Sequence, residues 1–144
     1  MKIKQNKTEM TRRRFIASSA VATFGFQVVP SRVFGANSRL AVAGIGSGGK
    51  GRADITGAAK AGADIVALCD VDESRAAAMF KTHAKAKRFA DFRVMLEKMG
   101  RSIDACTIST PDHTHAAATS MAMKMGKHCY TQKPLTHDVY EARH

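Results

Sequence analysis

Short apolar runs alternate with longer segments of mixed polarity from residue 40 to residue 131. The apolar runs are short enough to be buried strands, and the segments between them carry apolar residues at helical spacing. The predicted strands are 40–45, 63–69, 88–90, 103–109 and 128–131. The predicted helices are 52–61, 73–84, 92–99 and 116–125, with a further helix beginning at Thr136.

The segment 92–99 shows the helical pattern most clearly. Its apolar residues recur at i, i+3, i+4 and i+7, with Asp91 in front as an N-cap and Gly100 behind as a terminator. Those apolar residues are Phe92, Met95, Leu96 and Met99. Strands that alternate with helices of these lengths indicate an α/β fold with a parallel, doubly wound sheet of five strands. Ligands of such sheets bind at the carboxyl ends of the strands.

The first predicted strand runs directly into a glycine-rich turn, residues 46–51, with the composition of a phosphate-binding loop. The turn satisfies the dinucleotide-binding pattern G-x-G-x-x-G in two registers, one beginning at Gly44 and one at Gly46. We prefer the second, because its first glycine falls where the apolar run ends and its third precedes a helix whose amides would face a pyrophosphate. A flexible turn without a ligand is the alternative. The predicted cofactor-binding residues here are Gly46, Ser47, Gly48, Gly49 and Gly51.

Asp70 follows the second predicted strand, 19 positions after Gly51. This is close to the spacing at which dinucleotide-binding domains place an acid that binds the adenosine ribose. Because its negative charge would repel a 2′-phosphate, we predict NAD as the cofactor in preference to NADP. Arg75 lies close by in sequence and keeps NADP possible. Asp70 as a turn or helix-capping residue is the alternative interpretation.

The net charge of +11 is concentrated at the N-terminus, where residues 1–39 hold eight Lys or Arg and one Glu. The remaining +4 is spread over residues 40–144 and is not interleaved with aromatic residues. That distribution is typical of a solvated surface and argues against a nucleic-acid partner. The length of 144 residues and the hydrophobic content of 44% fit one small α/β domain behind a basic leader.

The leader carries a twin-arginine export pattern at Arg12 and Arg13, followed by a modestly apolar stretch from residue 17 to residue 29. That stretch is too short and too polar for a membrane span of about 20 apolar residues. We therefore predict that residues 1–36 are a twin-arginine signal and residues 37–144 the folded domain. The twin-arginine export machinery would then deliver the protein to the periplasm or otherwise out of the cytoplasm. A basic amphipathic tail on a cytosolic protein is the alternative.

The three cysteines each fall in a predicted strand. An odd number of cysteines in apolar surroundings indicates buried thiols rather than a disulfide framework. His113 and His115 lie between two of them, but their spacing fits no structural zinc pattern, so we predict no metal site. The cysteines are Cys69, Cys106 and Cys129.

Two loops at the carboxyl ends of later strands complete a set of motifs. The glycine-rich turn, Asp70 within Cys-Asp-Val-Asp, Ser-Thr-Pro-Asp-His-Thr-His at 109–115 and Gln-Lys-Pro-Leu-Thr-His at 132–137 together resemble the Gfo/Idh/MocA oxidoreductases. The resemblance covers residues 40–144 and implies an N-terminal NAD(P)-binding Rossmann domain, a second α/β domain and a carbohydrate or polyol substrate. It also implies that Lys133 is the catalytic lysine that orients substrate beside the nicotinamide. Further cofactor contacts are implied for Thr110, Pro111, His115 and Gln132.

The sequence departs from the family pattern at two positions. Gln132 stands where the family usually has glutamate, and Asp112 stands where asparagine is common. The sequence also ends at His144, ahead of the second domain and its downstream aspartate and histidine. The resemblance therefore implies a cofactor-binding part without a complete active site. A stand-alone nucleotide-binding module and a non-catalytic exported scaffold are the alternatives, and no pattern indicates an oligomeric state.

Overall fold

The computed structural model describes residues 39–144, and the predicted export signal at residues 1–36 lies outside the described residues. The strands are β1 (Ala41–Ile45), β2 (Asp64–Cys69), β3 (Lys87–Phe89), β4 (Ala105–Ile108) and β5 (His128–Thr131). The α-helices are α1 (Gly49–Lys60), α2 (Glu73–Thr82), α3 (Phe92–Met99), α4 (His115–Lys124) and α5 (Val139–Arg143). Short 3-10 helices lie at Gly100–Ser102 and Asp112–Thr114.

The five strands form one sheet in the order β3-β2-β1-β4-β5, and every neighbouring pair is parallel. This confirms the predicted α/β fold with a parallel sheet of five strands. From β1 the chain moves outward through β2 to β3, and it then returns to the other side of β1 to form β4 and β5. The winding direction reverses between β1 and β4, so the carboxyl ends of these two strands border the crevice where such sheets bind ligands.

Helices cover both faces of the sheet. On one face α3 and α4 pack against the strands, and Met95 and Leu96 of α3 are both 0% exposed, as the helical pattern predicts. On the other face Ile55 of α1 packs with Met79 and Phe80 of α2. The core is built mainly from Ala, Ile, Leu, Met and Cys, because both faces of a parallel sheet are buried and its central strands carry small or branched side chains.

Several predicted boundaries are wrong by up to three residues. Helix α1 begins at Gly49 rather than at residue 52, because the last glycines of the turn already adopt the first helical turn. The last helix begins at Val139 rather than at Thr136, because the Asp138 side chain accepts a hydrogen bond from the Glu141 backbone N–H and caps it there. Ile103 is buried but lies outside β4, directly after the 3-10 helix.

The three thiols are free within the described chain, with Cys69 and Cys106 buried and Cys129 half-buried. Burial raises the pKa of Cys69 and that of Cys106 to about 12, which keeps both thiols protonated and unreactive at neutral pH. Across residues 39–144, no helix is long and apolar enough to cross a membrane.

Candidate cofactor-binding site

The glycine-rich turn begins directly after β1 at Gly46, which has a φ of +80°. A residue with a side chain rarely adopts this conformation. The turn is also packed tightly against the end of β4, since a Cβ at Gly46 would lie 2.6 Å from the Ser109 carbonyl oxygen. The Gly46 backbone N–H donates to the Cys69 carbonyl oxygen at 2.8 Å, which ties the turn to the end of β2.

Gly51 lies in the first turn of α1, where the helix crosses the glycine-rich turn. A Cβ at this position would overlap the carbonyl oxygen of Gly46. The helix therefore approaches the turn so closely that only glycine fits, which is the role of the third glycine in the dinucleotide-binding pattern. This close approach agrees with the register that begins at Gly46. In the other register Gly44 would come first, but that residue lies within β1 and packs against Ile55.

The N-terminus of α1 lacks a capping side chain. Gly48 is its N-cap residue, and the first turn holds no acidic residue. The unpaired N–H groups of a first turn favour an anion, and the positive end of the helix dipole adds to this preference. A pyrophosphate fits such a site because it would supply negative charge and acceptors at the helix N-terminus itself, where the helix has no capping side chain.

Asp70 follows β2 and turns its carboxylate toward the glycine-rich turn. Its Oδ2 accepts hydrogen bonds from the backbone N–H of Ser47 at 2.8 Å and of Gly48 at 2.9 Å. Its Oδ1 accepts from the Asp72 backbone N–H at 3.0 Å. A carboxylate has about four acceptor positions, so this arrangement fixes the turn and still leaves room for a ribose hydroxyl. The structure thus brings Asp70 and the turn together, as the sequence predicts.

Arg75, in the first turn of α2, lies across the glycine-rich turn. A Cβ at Gly48 would lie 3.1 Å from the Arg75 Cβ, and one at Gly49 would lie 3.7 Å from its Nη2. Arg75 is therefore within reach of whatever occupies the turn near Asp70. A guanidinium at this position attracts a 2′-phosphate, which NADP carries and NAD lacks, so the relative affinity for the two cofactors has to be measured.

The loop after β4 contains the predicted residues Thr110, Pro111 and His115. The Thr110 hydroxyl oxygen is buried and has no hydrogen-bond partner in the described part of the chain. Buried polar atoms are rarely left unpaired, so this hydroxyl is suited to a group of a bound cofactor. Pro111 is exposed at the start of the 3-10 helix.

His115 connects this loop to the loop after β5. The ring is 1% exposed, with Nε2 2.7 Å from the Thr110 carbonyl oxygen and Nδ1 2.7 Å from the Pro134 carbonyl oxygen. Carbonyl oxygens only accept, so a neutral ring donates to one of them and an imidazolium donates to both. His115 is therefore a bridge inside the site, and its side chain faces protein rather than open solvent.

Asp54 is the site residue that sequence reasoning missed. Its side chain is 6% exposed, and its Oδ2 accepts hydrogen bonds from Ser109 Oγ at 2.7 Å and from Gln132 Nε2 at 3.0 Å. Its Oδ1 pairs with the Lys50 ammonium. Burial alone would raise the pKa of Asp54, but the hydrogen bonds from Lys50, Ser109 and Gln132 outweigh it and lower that pKa. Its position three residues after Gly51, on the same side of α1, was the available signal.

Lys133 lies between two anchored residues of the loop after β5. The Gln132 side chain bonds to Asp54, and the Pro134 carbonyl oxygen contacts His115. The Lys133 side chain is exposed and makes no hydrogen bond or ion pair with residues 39–144. An anchored backbone with a free ammonium group is what a substrate-orienting lysine requires. Among the same residues, no three His, Cys, Asp or Glu side chains are grouped so that they could hold a metal ion.

Fold and site together define a parallel α/β domain that binds a dinucleotide at the carboxyl edge of its sheet. Residues 38–144 match the model of the family described as "Oxidoreductase family, NAD-binding Rossmann fold". The chain therefore belongs to the Gfo/Idh/MocA oxidoreductase family, and its cofactor class is NAD. Both the predicted family and the predicted cofactor are confirmed.

Solved structures of dehydrogenases are similar to this domain. Myo-inositol dehydrogenase from Lactobacillus casei, in complex with NAD(H) and myo-inositol, is 30% identical with a TM-score of 0.66, over 73% of this chain and 31% of that one. UDP-N-acetylglucosamine 3-dehydrogenase from Acidithiobacillus ferrooxidans is 30% identical with a TM-score of 0.61, over 73% and 33%. The sequence of the latter enzyme shows 48% identity over 40 residues, which is 28% of this chain and 13% of the enzyme. The chain thus spans about a third of the length of these structures.

Proposed function

We propose that this chain is the NAD-binding part of a dehydrogenase that acts on a hydroxyl group of a sugar or polyol. The observation that carries the proposal is the pairing of an uncapped α1 N-terminus with the Asp70 carboxylate at the next strand end. These two features provide an anion site and a ribose acceptor side by side. The similar dehydrogenases of inositol and of UDP-N-acetylglucosamine support the substrate class.

In the proposed enzyme, the residues at the carboxyl edge of the sheet have different roles. The first turn of α1 holds the pyrophosphate, and Asp70 accepts hydrogen bonds from the adenosine ribose. Thr110, Pro111, His115 and Gln132 shape the side on which the nicotinamide lies, and the bound cofactor supplies the hydride acceptor. Lys133 donates a hydrogen bond from its ammonium to the reacting hydroxyl oxygen and orients that hydroxyl beside the cofactor.

Cofactor choice tests the proposal directly. In titrations of the 144-residue chain followed by NADH and NADPH fluorescence, we expect NADH to bind at least about tenfold more tightly, because Asp70 repels a 2′-phosphate. Arg75→Ala should leave the preference for NADH in place. Tighter NADPH binding by the wild-type chain would overturn the role of Asp70, and binding of neither cofactor would overturn the proposed function.

We expect Lys133 to contribute to the rate of the reaction and not to the affinity for NADH. Because its exposed ammonium makes no hydrogen bond or ion pair with the described residues, Lys133→Ala should keep the NADH dissociation constant within about twofold and the melting temperature within about 2 °C. In a protein that also carries the family's second domain, the same change should lower kcat by at least about a hundredfold. A Lys133→Ala variant that unfolds would show that this lysine has a structural role instead.

We further propose that the enzyme is exported by the twin-arginine pathway. The basic leader and the cytoplasmic origin of the cofactor together support this proposal. The supporting residues are Arg12 and Arg13. The double variant Arg12→Lys, Arg13→Lys should remain in the cytoplasm, while Lys2→Arg, which leaves the pair intact, should be exported as the wild type is. Fractionation of cells that express each form measures this, and equal export of the double variant would contradict the proposal.

A further inference from the structure

We propose that Asp54 is a positioning residue that holds the segment carrying Lys133 in place against the glycine-rich turn. The inference rests on the proposed function, since it gives Lys133 a substrate to orient. Asp54 lies on α1, five residues into the helix that begins at the turn. Its partners Ser109 and Gln132 follow β4 and β5, so one carboxylate connects three separate elements of the crevice edge.

The chemistry of the three partners makes this connection specific. An ionised carboxylate only accepts hydrogen bonds, and each of its partners offers a donor: the Lys50 ammonium, the Ser109 hydroxyl and the Gln132 amide. A carboxylate that is 6% exposed needs these donors, because an unpaired charge is costly in such surroundings. Asp54 therefore holds Ser109 and Gln132 in the positions in which they donate.

The Lys50 contact alone would not produce a positioning role. Lys50 lies one helical turn before Asp54, and its side chain is 57% exposed, so this pair is a local contact on a helix surface. Ser109 and Gln132 are 55 and 78 positions away from Asp54 in sequence. Within residues 39–144, only these two bonds connect the Asp54 carboxylate to the loops that follow β4 and β5, and only the bond to Gln132 reaches the residue next to Lys133.

Gln132 is held by hydrogen bonds of its backbone as well as of its side chain. The Gln132 N–H donates to the Ile108 carbonyl oxygen at 2.9 Å, which extends the pairing of β5 with β4 by one residue. Asp54 fixes the Gln132 side chain, and the Pro134 carbonyl oxygen contacts His115. The backbone of Lys133, which lies between these two residues, is therefore held from both sides. The structure also explains why glutamine suits this position, since a glutamate would place a second carboxylate where a donor is needed.

A charge-exchange experiment on the 144-residue chain tests the assignment. Four forms are compared: wild type, Gln132→Glu, Asp54→Asn, and the double variant Asp54→Asn, Gln132→Glu. Hydrogen exchange of the residue-132 amide is measured by NMR without cofactor, and the NADH dissociation constant is measured in parallel. Leu135→Glu is the matched control, because it adds the same charge three positions further along the loop at a side chain that is 58% exposed.

Gln132→Glu should speed exchange of that amide about tenfold or more and weaken NADH binding, because two carboxylates then face each other. The double variant should regain most of the wild-type protection, since the amide introduced at position 54 donates to the carboxylate introduced at position 132, and Leu135→Glu should behave as wild type. Wild-type exchange in Gln132→Glu, or a double variant no better protected than Gln132→Glu, would overturn the role of Asp54. If the wild type binds no NADH, the proposed function fails, and the exchange measurements still decide whether Asp54 holds the segment.

Discussion

Gly51→Val is expected to destabilise the domain by more than about 3 kcal/mol and to abolish NADH binding. Any Cβ at position 51 overlaps the carbonyl oxygen of Gly46, which belongs to the backbone and has no rotamer with which to move away. The first turn of α1 must therefore lift off the glycine-rich turn. That displacement removes the anion site and the packing of α1 together, because the same helix carries Ile55 into the core.

Gly57→Ala is the matched control for this variant. Gly57 lies in the same helix, and apart from its chain neighbours and the backbone of that helix, a Cβ there would meet no atom within 4 Å. Alanine should therefore stabilise the domain by about 0.5–1 kcal/mol and leave NADH binding unchanged. Thermal unfolding followed by circular dichroism measures both variants, with a decrease of about 10 °C or more expected for Gly51→Val. A Gly51→Val domain as stable as the wild type would contradict the close approach of α1 to the turn.

The elements of the sheet were predictable because their signals are local. The spacing of apolar residues in 92–99 reports which face of a helix is buried, and Met95 and Leu96 are indeed fully buried. The glycine-rich turn is likewise a local feature, and the overlap that a Cβ at Gly51 would cause gives the preferred register its physical reason. The start of α1 was predicted too late because glycines are poor helix formers, whereas here Gly51 is required by its close approach to the Gly46 carbonyl oxygen and Gly49 by its φ of +49°.

The polar contacts of the site were predictable only in part. Asp70 was found because its distance from the glycines along the chain is typical of dinucleotide-binding domains. Asp54 was missed because its partners are far away in sequence and nothing in a local pattern shows which polar side chains meet across a sheet edge. His115 was assigned to the cofactor through a family motif, whereas the structure places its ring between two carbonyl oxygens of the protein.

Asp70→Ala is expected to weaken NADH binding by at least about a hundredfold and to destabilise the domain by about 2–4 kcal/mol. The variant removes an acceptor for three backbone N–H groups, and one of them belongs to Ser47, which is 0% exposed. A buried N–H without an acceptor costs more than the bond itself contributed. Asp70→Asn retains a carbonyl oxygen and should lose less stability, but it removes the charge and should reduce the preference for NADH over NADPH.

Asp104→Ala is the matched control, because it shows how much NADH affinity and stability are lost when any aspartate that accepts a backbone N–H is removed. The Asp104 Oδ2 accepts the Ala41 backbone N–H at 2.8 Å, which is the same kind of bond, but it lies at the amino end of β1. This variant should lose about 1 kcal/mol of stability and bind NADH as the wild type does. If Asp70→Ala and Asp104→Ala bound NADH equally well, Asp70 would be a turn residue only. A loss of affinity confined to Asp70→Ala, together with a changed NADH-to-NADPH ratio in Asp70→Asn, would support the role of this carboxylate at the ribose, because a disturbed turn alone would not change that ratio.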